Sequence, residues 1–171
     1  GRLGTGTEQN RLTPAAVVQE TSFLRVAAGG AHTCALTLEG AALCWGNGGA
    51  GQLGNGVTVN RLVPHPVNSE LRFALVSAGA EHTCAVTGGG SAFCWGRGES
   101  GRLGTGSEAD QMLPFRVVGD LRFVQIRAGL AHTCAVTDDR VALCWGAGSD
   151  GRLGNGTSQN RLTPVQVGAQ S

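Results

Sequence analysis

The sequence predicts an all-β fold: three tandem four-stranded antiparallel units, preceded by one spare outer strand. Three observations predict it: a fifty-residue period, four strand-length segments in each period, and glycine-rich turns between them. His32, His82 and His132 recur at intervals of 50, as do Trp45, Trp95 and Trp145, and Phe23, Phe73 and Phe123. The turn GRLGTG at Gly1 returns as GQLGNG at Gly51, GRLGTG at Gly101 and GRLGNG at Gly151. Pro14, Pro64, Pro114 and Pro164 keep step with it, and no insertion disturbs the register. Strict self-similarity at such a period marks a repeat architecture. The units are 22–71, 72–121 and 122–171. Residues 1–21 form a partial repeat of turn motif plus outer strand, because they duplicate 151–171.

Within a unit, Phe23 to Ala27, and likewise Arg122 to Arg127, are apolar or alternating over strand length. His32 to Thr37 (HTCALT) reads as a second strand and Ala42 to Trp45 as a third, with a Gly-bearing hairpin turn over Leu38 to Ala41. A fourth strand lies near Leu162 to Val167, where Pro164 demands an edge position that tolerates a missing N–H. No stretch has sustained helical periodicity.

Composition agrees with this reading. Gly is 29 of 171 residues, well above the usual ~7 %, and its fixed positions point to ordered turns rather than disorder. All 13 basic residues are Arg, the net charge is +1, and no basic run exists to track a phosphate backbone, which argues against nucleic-acid binding. No apolar stretch approaches the ~18 residues of a membrane span. The chain starts at Gly1, consistent with a removed leader or with a piece of a longer protein.

The string AGGAHTCALTLEGAALCWGNGGAGQLGNG, Ala28 to Gly56, resembles the regulator of chromosome condensation (RCC1) repeat. The shared pattern is an Ala-Gly pair, His-Thr-x-Ala-Leu, a Gly turn, a Trp-Gly pair and Gly-Gln-Leu-Gly. It recurs in all three units and covers essentially the whole chain. The resemblance implies a β-propeller of four-stranded blades, which family members close with about seven blades. Three blades and a remnant do not close a ring. The chain is therefore expected to belong to a longer protein, to close with other chains, or to remain an open array with head-to-tail contacts.

Each unit carries a cysteine pair ten residues apart: Cys34 and Cys44, Cys84 and Cys94, Cys134 and Cys144. A three-residue turn with a bulge places the two cysteines opposite each other on antiparallel strands, within disulfide range. Three such bridges suit a secreted, extracellular or cell-surface protein. Reduced thiols and a zinc site with His32, His82 or His132 are the competing readings. The hairpins offer only three ligands and lack a C-x-x-C knuckle. The family pattern carries this His without the Cys, which points to a histidine hydrogen-bonded locally to backbone.

Other motifs resolve to structure. GNGGAG at Gly46, GRGESG at Gly96 and GAGSDG at Gly146 match G-x-G-x-x-G after a strand, but no helix follows to hold a pyrophosphate. Asp138 and Asp139 read as solvated turn residues, and His65 as an exposed loop histidine. Trp45, Trp95 and Trp145 read as packing between blades. Asn155-Gly156-Thr157 is a lone glycosylation sequon.

No catalytic, cofactor-binding or metal-ligating residues are assigned, and no cofactor is expected. The expected function is a non-enzymatic extracellular scaffold for protein–protein interaction or self-assembly, a ring or filament protomer, with protein partners or copies of itself. One alternative is a secreted propeller-type binder or inhibitor, since an RCC1-like family blocks β-lactamases through a ring face. The aromatic content of 5 % and the lack of Tyr supply few anchors for that. The other is guanine-nucleotide exchange with chromatin binding, as the resemblance implies. That activity depends on a protruding hairpin and a basic tail, and neither maps onto these residues.

Overall fold

A computed structural model describes residues 1–18 and 20–168. Three four-stranded antiparallel sheets follow one another along the chain. Blade 1 comprises β1 (Phe23–Ala28), β2 (His32–Thr37), β3 (Ala42–Gly46) and β4 (Arg61–Pro66). Blade 2 comprises β5 (Phe73–Ala78), β6 (His82–Thr87), β7 (Ala92–Gly96) and β8 (Gln111–Arg116). Blade 3 comprises β9 (Phe123–Ala128), β10 (His132–Thr137), β11 (Ala142–Gly146) and β12 (Arg161–Gln166). Strands pair in chain order within each blade, so Pro64, Pro114 and Pro164 lie on outer edge strands, where a ladder donor is not needed. The three blades form no closed ring.

The hairpin turn fixes the register of the central pair. Thr37 O accepts from Gly40 N at 3.0 Å and Thr37 N donates to Ala41 O at 2.9 Å. The loop is therefore Leu38–Gly40, with Gly40 at φ +80°, a conformation glycine adopts without a Cβ penalty. This is the three-residue turn expected from sequence, and it sets Cys34 opposite Cys44. Blades 2 and 3 repeat the register at Cys84/Cys94 and Cys134/Cys144.

Blades pack face to face. The core between blades 1 and 2 gathers Leu36, Leu53, Val67, Phe73, Ala85 and Trp95, and that between blades 2 and 3 gathers Val86, Leu103, Val117, Phe123, Ile126 and Trp145. Every blade thus contributes one apolar face to each neighbour, as stacked repeats must to bury a continuous core.

Residues 11–16 carry the outer-strand sequence, yet no strand forms there among the described residues. Their counterparts in β4, β8 and β12 pair with the preceding strand of their own blade, whereas residues 11–16 have no such neighbour among the described residues. An edge strand without a sheet to join has nowhere to place its N–H and C=O groups. His65 likewise differs from expectation: it lies in β4, opposite Cys44, rather than in a loop. Two three-residue 3-10 turns, Glu99–Gly101 and Ser149–Gly151, lie inside the glycine fingerprints, and neither is long enough to present a helix N-terminus to a phosphate.

Candidate interaction faces

The repeated histidine does not bond to local backbone, as the sequence suggested. It reaches across to the next blade. His32 Nε2 lies 2.7 Å from Thr83 Oγ1, and Thr83 Oγ1 donates to Gln52 O at 2.9 Å. Thr83 has one hydroxyl proton, and a carbonyl can only accept it, so His32 must donate through Nε2–H. Trp95 Nε1 donates to the same Gln52 O at 3.0 Å. One carbonyl of the G-Q-L-G turn thereby receives a threonine and a tryptophan from the following blade. Blades 2 and 3 repeat the His–Thr part of the joint, with His82 Nε2 2.9 Å from Thr133 Oγ1 and Thr133 Oγ1 donating to Arg102 O at 2.9 Å, whereas Trp145 Nε1 is buried without a hydrogen-bond partner.

Backbone bonds accompany these side chains. Gly30 N donates to Gly79 O at 2.9 Å, Phe73 N to Gly40 O at 2.8 Å and Gly56 N to Met112 O at 3.0 Å. The blade 2–3 joint has the same set: Ala80 N to Gly129 O at 3.2 Å, Phe123 N to Gly90 O at 2.8 Å and Gly106 N to Leu162 O at 3.0 Å. Sequence reasoning missed the joint because its partners stand 51 residues apart, although the invariant spacing of His and Thr in His-Thr-Cys carried the signal.

Burial holds the joint histidines neutral. Desolvation lowers the His32 pKa from 6.5 to about 4. That of His82 falls to about 3, chiefly through burial and secondarily through the Arg102 charge. His132 is lowered in the same direction, by burial and then by Arg152. Nδ1 of all three is buried without a hydrogen-bond partner, so a second ring proton would find no acceptor.

The cysteines sit in the same joints. Cys34–Cys44, Cys84–Cys94 and Cys134–Cys144 are disulfide-bonded, each with Cα atoms 4.1 Å apart. With every Sγ so engaged, the hairpins hold no thiolate for a metal. Three bridges in one chain point to an oxidising environment. Trp45, Trp95 and Trp145 are buried, with Phe23, Phe73 and Phe123 of their own blades about their rings at centroid distances of 6.1, 6.0 and 6.0 Å. Asn155 is buried, and its Oδ1 accepts from Thr157 N and Thr157 Oγ1 at 3.2 Å, so the sequon amide faces its own loop. Asp138 and Asp139 occupy the last hairpin turn, where Asp139 accepts from Thr137 Oγ1 and Asp138 lies 3.6 Å from Arg122.

Two end faces and a groove remain open. Val26 on blade 1 is 70 % exposed, whereas Ile126, its counterpart inside the stack, is 0 % exposed. On the far side of blade 3, His132 Nε2 makes no hydrogen bond among the described residues, and Leu130 is 71 % exposed. The inner strands β1, β5 and β9 line a groove of about 850 Å³, with Leu24, Leu75 and Val124 beside Arg25, Gln125 and Arg127. No aromatic side chain lines it.

The RCC1 repeat profile, "Regulator of chromosome condensation (RCC1) repeat", matches residues 1–36, 39–86, 89–136 and 141–171, and a second profile of the same description matches 23–52, 73–102 and 123–152. The chain belongs to the RCC1 repeat family. No curated protein sequence matches it. Among solved structures, RCC1-type propellers superpose closely. Human WBSCR16 shares 22 % identity at a TM-score of 0.82 over 97 % of this chain and 46 % of its own. Prp20p from Saccharomyces cerevisiae, described with its binding to Gsp1p and histones, shares 20 % identity at 0.85 over 97 % and 44 %. The ectodomain of the Physcomitrella patens receptor kinase CR4 shares 22 % identity at 0.58 over 79 % and 32 %. At these identities the likeness is one of fold. The RCC1 repeats of this chain span less than half the length of each of these proteins. No described helix is long and apolar enough to cross a membrane.

Proposed function

We propose that this chain is a non-enzymatic RCC1-repeat scaffold of the extracellular space or cell surface, which engages protein surfaces and associates with copies of itself head to tail. The observation that carries the reading is the joint between blades, whose two sides are different surfaces that fit each other. Its His–Thr–carbonyl core occurs twice, at His32–Thr83 and at His82–Thr133, and among the described residues His132 Nε2 has no such partner. A heterologous contact of this kind generates rings or filaments. The three disulfides support the extracellular assignment. The non-aromatic groove gives the inhibitor reading little support, because tight protein binding relies on buried aromatic and Arg anchors.

Sedimentation velocity of the non-reduced chain over a concentration series, with negative-stain imaging of the same samples, tests the reading. Rings or filaments that grow with concentration are expected. A chain that stays monomeric at high concentration, or nucleotide exchange on an added GTPase, overturns it. Alkylation of the native chain tests location: six freely reactive thiols would exclude an oxidising compartment.

A further inference from the structure

The central hairpin turns differ between blades where most of the repeat does not. Blade 1 turns on Leu38-Glu39-Gly40 and blade 3 on Asp138-Asp139-Arg140, but blade 2 turns on Gly88-Gly89-Gly90. Gly90 is required there: it has φ +87°, and a Cβ would press on Arg122 Cβ at 3.1 Å. Gly88 and Gly89 are not. Neither has a positive φ, a Cβ on Gly88 would meet no atom within 4 Å, and one on Gly89 would meet only Thr87 Oγ1 at 3.9 Å. Glycine at two such positions weakens the fold through unfolded-state entropy and relieves no clash. It leaves bare the mouth of a hollow of about 350 Å³ between blades 2 and 3, within the ~300–1,000 Å³ range of ligand sites.

The hollow has an apolar floor and a basic rim. Leu75, Val86 and Phe123 supply the floor, and the exposed Arg25 and Arg122 stand at the rim with Asp138. At the joint between blades 1 and 2, Arg25 holds the register position that Leu75 holds here. There the Glu39 carboxyl is held below its ordinary value, chiefly by the Thr37 hydroxyl and in smaller part by the charge of Arg72, the counterpart of Arg122. Gly89 supplies no such carboxylate. Arg122 is left with Asp138, 3.6 Å away and more than half exposed, and Arg25 makes no hydrogen bond or ion pair among the described residues. Two guanidinium groups thus face one carboxylate over an apolar cup.

We propose that this hollow binds the C-terminal residue of a partner protein, an aliphatic residue whose side chain enters the cup while its α-carboxylate meets Arg25 and Arg122. The proposal deepens the protein-binding half of the reading above and stands apart from the head-to-tail half. One residue of the partner has to supply both groups, because the guanidinium groups border the apolar floor directly. An internal Asp or Glu would bring the charge without an aliphatic group, and an internal Leu or Val the reverse. An apolar chain terminus carries both on a single Cα, and capture of a terminal carboxylate is a recurring mode of peptide recognition. The forked donors of guanidinium match that carboxylate. The lining comes entirely from three contiguous blades, with the hollow at the joint between two of them.

The test titrates the disulfide-intact, full-length chain with the acetylated tetrapeptide GSGL, as free acid and as C-terminal amide, followed by backbone amide NMR shifts. The acid is expected to shift the amides of Gly88, Gly89 and Val124, and the amide form to bind about tenfold more weakly or worse. Arg25→Gln and Arg122→Gln are each expected to weaken the acid about tenfold. Asp138→Asn is expected to strengthen it, because Arg122 loses its competing partner. Gly88→Leu with Gly89→Glu copies the turn of blade 1, and is expected to abolish binding without lowering the melting temperature. No shift by the acid at millimolar concentration, equal binding of acid and amide, or undiminished binding by the copied turn overturns the proposal. N-acetyl-leucine binding as tightly as the tetrapeptide overturns the chain terminus as occupant. Sedimentation of the same samples keeps the readings apart: a chain that assembles but takes no peptide strikes the hollow alone, and a monomer that takes the acid strikes the head-to-tail reading alone.

Discussion

Thr83 Oγ1 is shared between two blades: it accepts from His32 Nε2 at 2.7 Å and donates to Gln52 O at 2.9 Å, both in the preceding blade. Its hydroxyl is fully buried and both its capacities are used in opposite directions. Thr83→Val keeps the shape and removes both bonds, leaving a buried imidazole N–H and a weakened turn. The expected cost is about 2 kcal/mol, read as a lower midpoint in urea with an unchanged slope. A midpoint equal to wild type would mean that the joint contributes nothing.

The same joint predicts acid sensitivity. Above pH 6.5 the imidazoles of His32 and His82 are neutral in both folded and unfolded chains and add no pH dependence. Below it the unfolded chain takes up protons that the folded chain refuses until about pH 4 for His32 and about pH 3 for His82. Stability is lost as pH falls through that window, at about 1.4 kcal/mol per pH unit for each histidine. Unfolding free energies measured from pH 7 to 4 check the slope, and His32→Gln with His82→Gln should flatten it.

Arg140 occupies left-handed backbone, φ 67°, where blades 1 and 2 have Gly40 and Gly90. Its side chain makes no hydrogen bond or ion pair among the described residues. Arg140→Gly relieves the Cβ–carbonyl contact of that region and is expected to stabilise the monomer by about 0.5–1 kcal/mol, the gain being trimmed by glycine's larger unfolded-state entropy. A thermal scan at a concentration too low for association measures it.

Gly54 presents the opposite case. It has φ +66°, and a Cβ would stand 2.7 Å from Trp95 Nε1. Gly54→Ala therefore strains the backbone and pushes the tryptophan off Gln52 O. A loss of at least about 2 kcal/mol is expected, with a change in Trp fluorescence that an equally destabilising surface variant would not show.

Removing one bridge by Cys84→Ala with Cys94→Ala opens a short loop and is expected to cost about 2.5–3 kcal/mol. The spectrum of the remaining fold should persist, since the flanking blades keep their own bridges. Denaturant unfolding of the double variant beside reduced wild type checks both statements.

How much of this was legible in the residues depends on sequence distance. Strand β2 is bounded by the same residues that HTCALT indicates, and the Cys34–Cys44 register follows from counting across the Leu38–Gly40 turn, because these contacts are local. Pro164 placed the outer strand at an edge for a reason that acts on one residue at a time. The His32–Thr83 bond could not be read that way. It forms only when one blade lies on the next, and a buried imidazole looks the same in a sequence whether it serves its own backbone or a neighbour. Residues 11–16 failed for a related reason: the sequence RLTP has strand character only when a third strand stands ready to receive it.

Each disulfide closes within its own central hairpin, and none links two blades. Under tension applied at the two ends, nothing covalent would oppose the parting of neighbouring blades, while the loop between each pair of cysteines would stay sealed and contribute no length. The array would then yield in steps, one joint at a time, and each step would fall short of the full contour of fifty residues by the span the bridge withholds. Reduction would lengthen every step by that span, at ~3.4 Å for each residue released. The bridges would thus set how far the chain extends, and the His–Thr joints the force at which it begins to.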